Sequence, residues 1–210
     1  MRALILCLLL SACDLGEGKG ALAGTLFVRA CTSDSDYGMA AAPRAYDMQP
    51  RYFVATPVDD LQRPFPMNRL SIRVQPSGNR VEEADAMLID ISNDRDVAVL
   101  LGQDIAVGPS TNVRATLNLN ATCPAAEVEM ELDGTINWSK FGGATTSAVP
   151  EDFNLNYGDR ITANFSFDVV DRRAIVLGGV GGVSPDPAVG GHLTGYFDFV
   201  IRQGQAGQSP

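Results

Sequence analysis

Few residues of this chain have chemistry to offer: four cysteines, at 7, 13, 31 and 123, and a single histidine, His192. A thiol can carry a lipid, pair into a disulfide or bind a soft metal, and an imidazole can act as base or ligand. Neither Cys31 nor Cys123 has a second cysteine or a histidine at zinc-ligand spacing, so no metal site is expected. One histidine and no G-x-S-x-G leave little ground for metal-hydrolase or Ser-His-Asp chemistry, and His192 reads as a surface or edge residue at the mouth of a strand. Twenty-five acids always offer a carboxylate pair somewhere, but none can be singled out from spacing alone.

Two further motifs fail on inspection. Gly178-Gly179-Val180-Gly181-Gly182 does not fit G-x-G-x-x-G, has no following lysine and opens no helix, so it reads as a loop and no nucleotide cofactor is expected. Asp34-Ser35-Asp36-Tyr37-Gly38 begins like a calcium loop, yet Ala45 stands where a bidentate acid would close the site. An acidic solvated loop is the reading there.

Cys13 is different, because of what precedes it. Met1 and Arg2 are followed by an unbroken apolar run from Ala3 to Leu10, then Ser11 and Ala12. That is the charged, apolar, small-residue order of a secretory signal, too short to cross a bilayer as a helix. Leu10-Ser11-Ala12-Cys13 resembles the lipobox of bacterial lipoproteins. The resemblance implies cleavage after Ala12 and acylation of Cys13, so residues 1–12 form a signal peptide and Cys13 becomes a lipid-bearing N-terminus in the cell envelope. Two or three acyl chains would hold the protein durably, where one holds marginally. The glycine-rich stretch 13–24 then reads as a lipidated tether with a reach of about 18 Å.

That compartment bears on the other thiols. Cys7 leaves with the signal, which leaves Cys31 and Cys123, and in an oxidising envelope the simplest expectation is one disulfide between them. Closing so long a loop would stabilise the fold by about 4 to 5 kcal/mol in the chain-entropy picture. The alternative is a pair of buried free thiols. The net charge of −9 argues against nucleic acid as a partner and against anionic headgroups as the means of attachment. The membrane is held through Cys13, and an envelope protein or polymer is the expected partner.

The elements that would position these residues are strands. Leu70, Ile72 and Val74 alternate with Ser71, Arg73 and Gln75, Pro76-Ser77-Gly78-Asn79 is turn chemistry, and Val81 to Ile91 returns as the antiparallel partner. Val81, Ala84, Leu88 and Ile91 also fit a helical stripe, but the hairpin context selects strand. Alternation continues at Val113 to Asn120 and from Val128 through Trp138, with preserved parity favouring a bulge over a turn at Asp133-Gly134. Ile161, Ala163, Phe165, Phe167 and Val169 make another inward face, and Leu193, Gly195, Phe197, Phe199 and Ile201 a last one. Thr25 to Ala30 is a first strand, and the proline-studded stretch 32–66 reads as a long loop.

Many short strands and almost no capped helix predict a mostly β, single-domain fold, an antiparallel β-sandwich or alternatively a β-barrel, over residues 25–203, with 204–210 as a flexible tail. The function expected is that of a membrane-anchored, noncatalytic structural or interaction module. A small-molecule or lipid carrier would instead line a cavity with Phe165, Phe167, Phe197 and Phe199, and a histidine-independent hydrolase would converge two acids in a cleft. Tyr37, Tyr46, Tyr52 and Tyr157, in predicted loops or strand ends, are the candidates for partner contact.

Overall fold

The computed structural model describes residues 18–27, 43–58, 69–77, 83–123, 129–151, 153, 155–156, 158–170 and 190–201. Ten strands and one short helix follow in the order β1 (Gly18–Phe27), β2 (Pro43–Met48), β3 (Tyr52–Val58), β4 (Arg69–Gln75), β5 (Asp85–Ile91), α1 (Asp94–Val99), β6 (Asp104–Val107), β7 (Val113–Leu119), β8 (Glu129–Phe141), β9 (Arg160–Val170) and β10 (Gly191–Val200). All pair antiparallel in one sheet of order β2-β1-β10-β9-β8-β7-β5-β4-β3, with β6 also on β8, and the sheet curls into a half-barrel. The mostly β, antiparallel expectation is met. No helix among the described residues is long and apolar enough to cross a membrane.

Although β2 and β3 are the two ends of this sheet, only residues 49–51 separate them in the chain. The sheet therefore bends its two ends toward each other, and they meet through side chains. Phe53 of β3 stacks on Phe199 of β10 with ring centroids 5.2 Å apart. It can do so because β1 is glycine-rich on its inner side. A Cβ on Gly18 would stand 2.5 Å from the Phe199 Cβ and 2.7 Å from Phe53 Cδ2. The stretch expected to be a tether is thus strand from residue 18 onward: its glycines make room for rings, and Leu22 between them is wholly buried. The stretch 32–66 is likewise corrected, since it contains β2 and β3.

The inner face is one continuous core in which aromatic rings follow each other from strand to strand. Phe165 stacks on Phe167 at 4.9 Å and lies 6.0 Å from Phe197, which in turn meets Trp138 at 5.7 Å and Phe199 at 5.9 Å. Register explains the fit. Phe165 stands opposite Gly195 and Phe197 opposite Ala163, so large side chains interdigitate with small ones instead of colliding. Each buried ring contributes about 2 to 3 kcal/mol of apolar transfer.

Elsewhere the alternation predicts well. β7, β9 and β10 keep the faces read from sequence, β4 does so as far as Val74, its terminal Gln75 being buried, and strand rather than helix runs through Asp85–Ile91. β8 passes through Asp133-Gly134 without turning, and its register shift lies later, between Trp138 and Lys140. That extra residue flips the parity, which is why Phe141 is buried beside Trp138. The helix α1 was not expected. Asn93 caps it by accepting from the Arg95 N–H at 3.1 Å, and Val97 and Ala98 are buried beneath it.

Candidate functional site

The outer face of β8, β9, β10 and β1 carries the polar partners of the aromatic core, and the same register that staggers the rings lines up these residues. Asp133, Asp168, His192 and Thr25 form one row across the four strands. Thr135, Ser166, Thr194 and Ala23 form the next, and Asn137, Asn164, Tyr196 and Ala21 a third. Most of these side chains are short, and among the described residues Tyr196 is the large hydrophobic one exposed on this face, at 44%.

Within this face the single histidine is well placed. His192 Nδ1 lies 2.8 Å from Asp168 Oδ1, and His192 Nε2 lies 3.3 Å from the Ser166 hydroxyl. Ser166 and Asp168 are two residues apart on β9 and so share a face, and His192 stands opposite Asp168 on β10. The connectivity is that of a Ser-His-Asp relay, which counting histidines in the sequence did not foresee. Two features set it apart from a hydrolytic centre. β9 is paired on both sides, so its backbone N–H groups are committed to ladders and do not form an oxyanion hole around Ser166. His192 and Asp168 are also more than half exposed, at 55% and 67%, where water screens their attraction.

One end of the face is closed by an ion pair. Arg160 grips Asp198 with two donors, Nε at 2.6 Å and Nη2 at 2.5 Å, and the Thr162 hydroxyl adds a third at 2.9 Å. The hydrogen bonds from Arg160 hold the Asp198 carboxyl below its ordinary value, with Thr162 and the charge of Lys19 acting in the same direction against partial burial. Asp198 is thereby engaged within the sheet, whereas the rows farther along have side chains with hydrogen-bonding capacity turned to solvent.

A second polar cluster is internal. Asp85 Oδ1 accepts from the backbone N–H groups of Ala121 and Thr122, both at 2.9 Å, and its Oδ2 accepts from the hydroxyls of Thr122 and Tyr46. Burial, then the neighbouring Asp85 charge, pushes the Tyr46 hydroxyl well above its ordinary value. Next to this cluster, Cys123 is disulfide-bonded. Its expected partner, Cys31, and the expected lipid site, Cys13, lie outside the described residues, as do residues 204–210.

The tyrosines show where sequence position misleads. Tyr46 and Tyr52, expected at a contact surface, are 7% and 4% exposed and belong to the interior, while Tyr37 and Tyr157 lie outside the described residues. Tyr196 was not singled out because it sits in the middle of a strand; its even-numbered place in β10, out of phase with Phe197 and Phe199, was the available signal. The four phenylalanines that a carrier would turn toward a ligand instead pack on each other and on Phe53 and Trp138. Asp133 and Asp168, the acids brought opposite each other, stand on an exposed face and not in a water-excluding cleft.

Comparisons of the chain with protein-family models, with curated proteins and with solved structures return no match.

Proposed function

We propose that this protein is an envelope lipoprotein, anchored through acyl chains on Cys13, whose β domain is a noncatalytic interaction module working through the outer face of β8, β9, β10 and β1. The observation that carries this reading is the character of that face: three rows of short hydrogen-bonding side chains around the exposed Tyr196. The lipobox-like Leu10-Ser11-Ala12-Cys13 supports the anchor. The disulfide at Cys123 fits an oxidising compartment. The commitment of β9 backbone donors to the sheet favours binding over acyl transfer at Ser166.

Anchor and face are tested separately. Radiolabelled palmitate is expected to enter the wild-type chain and not Cys13→Ala; equal labelling removes the anchor. A photo-crosslinking residue at Thr194 is expected to capture an envelope component that the same residue at Ser71, on the other half of the sheet, does not. Equal capture from both positions removes the face.

A further inference from the structure

We infer that one rim of the half-barrel rests on the membrane surface, with Val99 and Leu100 dipping among the lipid headgroups. The inference rests on the reading of Cys13 as the acylated anchor and adds to it how the domain is oriented.

Register places the apolar tip and the anchor at the same end of the sheet. Gly18 pairs with Phe199, Phe199 with Ile161 and Ile161 with Phe141, so the start of β1 shares a rim with the end of β8. The end of α1 lies at that rim too. The Gly102 N–H that follows it donates to the Trp138 carbonyl at 2.8 Å, and β6 then starts with Asp104 opposite Asn137. Val97 and Ala98 enter the core, while Val99 and Leu100 are 55% and 38% exposed. With strands about 4.8 Å apart, about 14 Å of sheet separates β8 from β1, and the chain from Cys13 to Gly18 spans at most about 18 Å. Acyl chains on Cys13 therefore bring the lipid surface to the rim that carries Val99 and Leu100.

The surroundings of this tip suit a bilayer better than a protein. The loop beside it, Gly142 to Pro150, has no charged side chain, and Thr145, Thr146, Ser147 and Ala148 are exposed. Arg95 holds this loop to α1 by donating to the carbonyls of Pro150 and Glu151 at 2.7 and 2.8 Å. Charges of both signs border the patch: Asp96, Asp104 and Glu151 near the tip, and the exposed Lys19 and Lys140 in the row that leads to the anchor. Neither sign dominates, so the attraction is apolar and a zwitterionic lipid surface is the partner. Two exposed aliphatic side chains fall far short of the roughly 800 Å² per partner of a stable protein interface, whereas a surface already held by acyl chains needs only a few inserted side chains.

The test uses the full acylated chain in phosphatidylcholine vesicles that contain doxyl-labelled lipid as quencher. A dansyl-bearing amino acid replaces either Leu100 or Glu129, which is exposed at the opposite end of β8. Quenching about threefold stronger at the first position than at the second is expected. With the probe in place of Thr146, which leaves the tip native, Val99→Ser combined with Leu100→Ser should lower quenching about twofold or more. Circular dichroism reports that each variant is folded. Equal quenching at the two positions overturns the inference, and so does a blue-shifted but unquenched probe at Leu100, which would mark a protein neighbour there. A chain that takes up no palmitate brings down the anchor and the inference together, whereas a palmitoylated chain with equal quenching brings down the inference alone.

Discussion

The Tyr46 hydroxyl donates to Asp85 Oδ2 at 3.1 Å, tying β2, one end of the sheet, to β5, the third strand in from the other end. No backbone ladder joins β2 to β3, so links of this kind hold the curled sheet closed. Asp85 also fastens the turn after β7 through two backbone donors, next to the disulfide at Cys123. One carboxylate thereby satisfies groups from two other parts of the chain.

Removing that carboxylate should be costly. Asp85→Ala leaves the buried Tyr46 hydroxyl and two backbone N–H groups without their acceptor, a loss of about 3 kcal/mol or more. Tyr46→Phe removes one donor and keeps the rest, for about 1 kcal/mol. Urea midpoints of the two variants check the order. Equal effects would show that the carboxylate's role is confined to Tyr46.

The same pair predicts an alkaline limit. Tyr46 holds its proton more tightly in the folded chain than in the unfolded one, where the phenol titrates near 10.0. The contribution to stability is complete below that value and declines as pH rises above it, because the unfolded chain then loses a proton that the folded chain keeps. A denaturation midpoint that falls from about pH 10 upward, and falls less in Tyr46→Phe, is the expected result. Asp198 has the opposite sign: its carboxyl is held low in the folded state, so its contribution is present above 3.8 and lost as pH falls below it. Asp198→Asn should flatten the acid limb slightly, as befits a pair whose guanidinium is half exposed to solvent.

Space at Gly18 is a further check. Gly18→Ala places a methyl group against Phe53 and Phe199, and overpacking there should cost about 1 to 3 kcal/mol. Combining it with Phe53→Leu should recover part of the loss, giving a coupling that thermal melts of the double-mutant cycle can read. Strict additivity would mean that the ring and the glycine do not share that space.

The disulfide is checked by mass. Peptide mapping without reductant is expected to join the Cys123 peptide to the Cys31 peptide, and reduction should lower stability by about 2 to 5 kcal/mol. Linkage of Cys123 to Cys7 or Cys13 would overturn both the pairing and the assignment of Cys13 as the acylated residue.

The legibility of this chain follows from what each strand has at its inner positions. Where branched or aromatic residues alternate with polar ones, as at Leu70 to Val74 or Ile161 to Val169, period-2 patterning names the strand and its buried face. β1 carries Gly18, Gly20 and Gly24 at those positions, the first two beside the Phe53 ring and the third against the backbone of β10, so its sequence reads as a tether. Prolines in β2 and β3 concealed strands at the two ends of the sheet, where a missing N–H is tolerated.

By itself the sequence determined the strand-rich architecture, the inward faces of its central strands, and the arithmetic of its cysteines, since each depends only on local alternation or on counting. Register was decided by the tertiary structure. Only the pairing of β9 with β10 sets Phe165 against Gly195 and Asp168 against His192, and only the curl of the sheet brings Phe53 onto Phe199. A one-residue slip would move every side chain of a strand to the other face, so register is settled by the fit of the whole core, to which residues far apart in the chain contribute together.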